Sequence, residues 1–317
     1  MPPHSIPYSE GLASVADTVI SDRLSRRKTR HLRERAIEFV LFSAAAFSVL
    51  ITLGIVYVLV SESVHFFQHV SIWDFLTDHQ WTPLFDDAHY GIMVLLSGTL
   101  VSSAVALAVA VPIGTIVAIY LSEFAPFSVR EVAKPLLELL SGIPTVVYGY
   151  FALLFITPVL QTLFPSLPGF SLLSAGLVMG IMIIPYVSSV SEDAMRAVPM
   201  SMREGSYAMG ATRFQTAIRV VTPAALSGIT AAYILGISRA VGETMILAVA
   251  AGMQPNLSLN PLEPAATVTS YIVQVALGDL PHGSIGYQTI FAAGLTLRHY
   301  KAFAGCPSVV SPDFPPG

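Results

Sequence analysis

Five apolar stretches, each about 19 to 32 residues long, occupy residues 36–60, 90–121, 135–160, 172–190 and 224–252, and a sixth apolar run begins near Ile285. A hydrocarbon core about 30 Å thick is crossed by about 20 residues of helix, whereas a barrel strand needs only about 10. Lipid offers no partners for backbone N–H and C=O groups, so segments of this length are helices with their hydrogen bonds made internally. Composition agrees where it matters: 11% of the residues are charged, against about a quarter in a soluble domain. The expectation is an all-α membrane protein of about six transmembrane helices.

The charges set the topology. Seven of the sixteen Lys and Arg residues lie between Arg23 and Arg35, and the first span follows as 36–60. That span is too long for a removable signal peptide and lacks a small-residue cleavage pattern, so it is read as retained. The loop 61–89 has no Lys or Arg but carries Glu62, Asp74, Asp78, Asp86 and Asp87. Arg130 and Lys134 mark the next loop, residues around 161–171 are free of basic groups, and 191–223 carries Arg196, Arg203, Arg213 and Arg219. The segment 253–284 again has none. By the positive-inside rule the basic segment 1–35 and the 191–223 loop face the cytoplasm, and the chain is multi-pass in the cytoplasmic membrane. Trp73 and Trp81 in the first outer loop suit the membrane interface. His65 and His69 have helical i, i+4 spacing, but no accompanying ligand pattern makes them a metal site.

Motifs for several chemistries are missing. None of Lys28, Lys134 and Lys301 follows a glycine, so no phosphate-cradling GxxxxGK[ST] loop exists. There is no GxSxG elbow, zinc-type HExxH or CxxC, and the single Cys306 excludes an internal disulfide framework. No catalytic residue and no resident metal or cofactor are expected.

Glu204–Pro223 is polar enough to lie in water, yet sits between two apolar runs. Pro199 and Pro223 bracket it and Gly210 divides it, which predicts a short helix over about 200–209, a turn at Gly210 and a second helix toward Pro223. Met202, Gly205, Ser206 and Met209 share one face of the first helix. Small residues between adaptable methionines suit insertion into another protein's groove, although a helix packed on its own protein has the same spacing. Glu204, Gly210 six residues later, Val220 ten after that, and then Pro223 resemble the EAA loop of ABC importer permeases. Gly205 and Ser206 stand where that pattern has alanines, Val220 where it has Ile, and Thr222 where it has Leu.

Arg239 lies near the middle of the 224–252 stretch, with Glu243 one helical turn further. An ionised side chain there costs at least about 2.5–3.5 kcal/mol, which demands a reason. One reason is an i, i+4 ion pair holding the bundle together. The other is function: a guanidinium presents a planar fork to oxyanions, and a neighbouring acid keeps it from binding them too tightly.

RAVGETM at 239–245, SGIPTVVYG at 141–149 and LPHG followed by YQTIFAAGLTL within 280–297 resemble the PstC-type permease subunits of bacterial phosphate ABC importers, over about residues 30–297. The resemblance implies the type I importer permease fold, with Arg239 and Glu243 on the phosphate path. It implies that Glu204, Gly205, Ser206, Gly210, Val220 and Pro223 couple to an ATPase. The implied partners are a PstA-type permease, PstB-type ATPase subunits that use ATP and Mg²⁺, and a periplasmic PstS-type phosphate-binding protein. Permeases for sulfate, molybdate or phosphonate remain alternatives, as does an ATP-independent carrier. After Leu297 the resemblance stops. Residues 298–317 are expected to be a disordered tail left by a shifted reading frame, with the last helix incomplete. The other reading is a short, tilted span with Arg298 and Lys301 reaching the cytoplasmic face.

Overall fold

The computed structural model describes residues 8–304 apart from 84, 86 and 282, and side chains between residues 34 and 302 apart from 36, 84, 86, 279 and 282. The chain divides into two compact units, Met1–Val58 and Leu59–Gly317. The first is made of helix α1 (Tyr8–His69), which runs on into the second. Over residues 37–58 its large apolar side chains are exposed, Phe39, Phe42 and Tyr57 each by more than 70%. A surface of that kind is a lipid-facing one, and Ile37–His69 is long and apolar enough to cross a membrane.

The rest is helical too, with only isolated bridges at Trp81–Tyr90 and Gly252–Ala265 among the described residues. In order come α2 (Ile72–Thr77), α3 (Met93–Phe124), α4 (Phe127–Ser141), α5 (Thr145–Leu163) and α6 (Leu172–Arg196). They are followed by α7 (Met200–Ala208), α8 (Arg213–Ala224), α9 (Leu226–Val241), α10 (Met245–Ala250), α11 (Val268–Gly278) and α12 (Ile285–Ala304). Among the described residues four helices qualify as spans by length and apolarity, or five when α8 and α9 count as one bent span.

Helices α3 and α6 pack along each other and form the core's axis. Gly176 and Gly180 of α6 sit four residues apart against Val105 and Val109 of α3, where an added Cβ at Gly180 would come 2.8 Å from the Ala106 carbonyl. Small residues at this spacing let two membrane helices approach closely, where dispersion does the work that water exclusion does in soluble proteins. Met179, Met182, Ile183 and Val187 fill the space toward Tyr148 of α5 and Leu247 of α10.

Three boundaries differ from the sequence reading. The expected span 135–160 is cut at Gly142-Ile143-Pro144, because Pro144 starts a new helix rather than continuing the old one. Residues 135–141 therefore belong to the amphipathic α4, and the Tyr148 hydroxyl donates to the Leu140 carbonyl at 2.7 Å across the break. The expected span 224–252 is broken at residues 242–244. The last helix does not stop at Leu297: α12 continues through Arg298 to Ala304. Over residues 298–304 helix stands where disorder was expected, and the cause is local: RHYKAFA contains no Gly or Pro and several good helix formers. Residues 305–317 lie outside the described residues.

The end of the second unit that carries Phe75, Trp81 and Tyr90 is closed by aromatic packing. Trp81 is 2% exposed and meets Phe75, Tyr90 and Tyr271 edge to face, with ring centroids 5.0 Å apart for the Tyr271 pair. It is a core residue and not the interfacial anchor expected of it; Trp73, at 73% exposure, is free for that role.

Candidate functional site

The Arg-bearing loop folds as its punctuation predicts. Helix α7 follows Pro199, the turn places Gly210 at φ +84°, and Thr212 caps α8 with Gln215 in a reciprocal capping box. A positive φ is where glycine avoids the Cβ clash that other residues meet. Glu204 and Gly205 are exposed, and a Cβ on Gly205 or Gly210 would meet nothing within 4 Å. Met202 and Met209 are exposed by 44% and 88%. Ser206 instead turns inward, its hydroxyl 2.9 Å from that of Thr216 on α8. Val220 is half-buried and Pro223 exposed. The open face thus consists of Met202, Gly205 and Met209, with Ser206 serving to lock α7 against α8.

Behind this face lies a buried charge network that the sequence did not announce. Arg203 of α7 is 9% exposed, donates to the carbonyls of Val198 at 2.6 Å and Met195 at 2.8 Å, and pairs with Glu123 of α3 at 2.9 Å. Glu192 of α6 is fully buried, 3.5 Å from Arg130 and Lys134 of α4 and 3.6 Å from Arg196. Lys134 donates to Asp193 at 2.6 Å, and this bond, with the nearby Glu192 charge, holds its ammonium above the ordinary lysine value despite partial burial. Helices α3, α4, α6 and α7 are joined here by ion pairs, so the loop is rigidly attached to the membrane helices.

Arg239 and Glu243 sit at the broken helix. Arg239 occupies the last turn of α9, where its positive charge complements the helix dipole. Its guanidinium lies 5.6 Å from the centre of the Tyr186 ring and 4.0 Å from the Met182 sulfur, both on α6. Its side chain is 39% exposed, and its buried Nε has no hydrogen-bond partner among the described residues. Glu243 is almost wholly buried in the break, and its Oε1 accepts from Met245 N at 3.2 Å and Ile246 N at 3.5 Å, the first amides of α10. Its own backbone carbonyl accepts from the Thr269 hydroxyl of α11 at 2.6 Å. The Arg239–Glu243 separation is 3.9 Å, too long for a hydrogen bond. The carboxylate is therefore occupied chiefly as a helix cap, which leaves the guanidinium free to offer donors elsewhere. Non-helical backbone at membrane depth is tolerated where it is buried in protein or lines a cavity. Tyr186, Met182 and Thr269 had no signal in the sequence, because their roles depend on which helices meet.

The open face of α7 and Arg239 are linked through α8, which passes at Ala225 into α9 through a bend of 74°, with Arg239 in the last turn of α9.

Residues 110–277 match the family described as the binding-protein-dependent transport system inner membrane component. A probable ABC transporter permease protein, YqgH of Bacillus subtilis, is 35% identical, with 88% of this chain and 91% of that protein covered. The phosphate transport system permease protein PstC of Mesorhizobium japonicum is 31% identical over 86% of this chain and 90% of its own length. Among solved structures, the bacterial ABC transporter that imports the acidic polysaccharide alginate matches 87% of this chain and 96% of its own, with a TM-score of 0.60 at 17% identity. That last likeness establishes the fold, a type I ABC importer permease. The chain is a multi-pass membrane protein and belongs to the family of binding-protein-dependent transport system inner membrane components.

Proposed function

We propose that this chain is a permease subunit of an ATP-driven importer of inorganic phosphate. The observation that carries the reading is the half-exposed guanidinium of Arg239 at a helix break, with an unpartnered Nε and a carboxylate engaged mainly elsewhere. Relatives named as phosphate transport permeases, alike along most of this chain, support the choice of phosphate. Arg239 gives transient charge-assisted contact to the passing anion, and Glu243 keeps residence short.

In this reading the N-terminus is cytoplasmic, and the face of Glu204, Gly205, Met202 and Met209 enters a groove on a PstB-type ATPase. Gly210 sets the turn, while Ser206, Val220 and Pro223 brace the loop. A PstA-type permease completes the path and a PstS-type protein delivers phosphate from outside. ATP and Mg²⁺ are bound by the ATPase; this chain breaks no bond and holds no cofactor.

The test is uptake of labelled phosphate into proteoliposomes containing all four kinds of subunit, with sulfate and molybdate in parallel. ATP-dependent phosphate uptake is the expected result. Uptake of sulfate or molybdate in preference would replace the substrate, and ATP-independent exchange would replace the class.

A further inference from the structure

The extension of α12 past Leu297 brings a second cation into the bundle. Lys301 is half-buried, and its ammonium lies directly against Gly242, in the break between α9 and α10. A Cβ at Gly242 would meet that Nζ, so the glycine leaves the ammonium its present position beside the break. The ammonium is also near enough to Arg239 for the two charges to repel. Among the described residues Lys301 forms no hydrogen bond and no ion pair. Only one carboxylate, Glu243, stands in the break, and its Oε1 is committed to the amides of α10.

Two cations meet beside one acid, whose Oε1 caps α10 and whose Oε2 stands 3.9 Å from Arg239, an arrangement that an anion would relieve. Each positive charge lacks a full partner, and the repulsion between them is strongest in a medium of low polarity. An ammonium is a compact point charge that can follow a moving oxyanion, whereas a guanidinium fixes its orientation.

We propose that Lys301 and Arg239 together form the anion-holding site, at the break beside Gly242, with a tetrahedral oxyanion as the ligand. This rests on the reading of Arg239 as a path residue and adds Lys301 as a substrate contact.

The test uses the assembled transporter carrying Lys301→Cys in a Cys306→Ser background. Membrane vesicles are treated with the cationic reagent aminoethyl methanethiosulfonate, with and without 10 mM inorganic phosphate (about tenfold above a millimolar site). The introduced thiol is expected to react, and phosphate to slow the reaction severalfold. A thiol that does not react, or reacts equally fast with phosphate and with chloride, overturns the assignment. This readout does not depend on transport, so it stands even where uptake assays reject phosphate as the cargo. In proteoliposomes, Lys301→Met is expected to raise the half-saturating anion concentration at least about tenfold, the loss of one charge-assisted contact. Lys301→Arg and aminoethyl modification of the cysteine variant are expected to restore it, and neutral methyl modification is not. Equal uptake by Lys301→Met and the unmodified transporter overturns the proposal. If sulfate is the anion that the parent complex imports, the same comparison is read with sulfate.

Discussion

Arg203 of α7 is joined to Glu123 at the end of α3, through Nη2–Oε1 at 2.9 Å and Nε–Oε2 at 3.3 Å. Both side chains are nearly buried, at 11% and 6% exposure. Breaking a buried pair by removing one partner leaves an uncompensated charge and costs about 3–5 kcal/mol. Glu123→Ala is therefore expected to lower the thermal stability of the detergent-solubilised protein strongly. Glu123→Gln, which keeps the acceptor, is expected to cost less. Equal melting temperatures for Glu123→Ala and the parent protein would show that the pair does not hold α7.

Gly205→Tyr should separate docking from folding. The site has open space around its Cβ, so the variant is expected to reach the membrane in normal amount. A ring on that face should block entry into a partner's groove, and co-purification of the ATPase is expected to fall by at least about tenfold, one broken contact surface's worth of affinity. Full co-purification would remove α7 as the docking element.

At the broken helix the two charged residues should respond differently. Arg239→Gln is expected to lower anion uptake about ten- to a hundredfold, the range for one lost charge-assisted bond, with normal accumulation. Glu243→Gln retains an acceptor for the α10 amides, so stability should change little while anion release slows. If uptake returns in the Arg239→Gln, Glu243→Gln double variant, the pair is structural.

The loop between α2 and α3 carries a pH-sensitive tie. His89 Nδ1 and Asp78 Oδ2 are 2.7 Å apart. The hydrogen bond to Asp78 raises the His89 pKa above 6.5, while Asp78 falls below 3.8 because hydrogen bonding to His89 and to Gln80 outweighs its burial. The raised histidine stabilises the fold fully below 6.5, and that contribution disappears as pH rises through its folded value. The lowered aspartate contributes above 3.8 and is lost as pH falls through its own. Loop order should therefore peak between about pH 4 and 6.5. Amide exchange over residues 78–90, compared with His89→Ala, checks this; an unchanged profile in the variant would dismiss the tie.

Much of this architecture was legible in the residues, and the reasons are local. Spans are long apolar runs, Pro199 and Gly210 punctuate the 191–223 loop, and the charge of Arg239 stands out against its surroundings. What escaped depended on contacts between distant segments. Trp81 looked interfacial until Phe75, Tyr90 and Tyr271 enclosed it. Glu243 looked like an ion-pair partner until the break at 242–244 turned it into a cap for α10. Lys301 looked like part of a tail, because nothing in its neighbourhood of sequence indicates that α12 ends beside Gly242.

The 74° bend at Ala225 has a mechanical meaning. Arg239 stands fourteen residues beyond it on α9, an arm of about 21 Å along the helix. Turning that arm by about 10° sweeps the guanidinium through about 4 Å, more than the length of a hydrogen bond. On the proposed reading of Arg239, a small turn of α9 would thus carry the guanidinium from touching an anion to losing it.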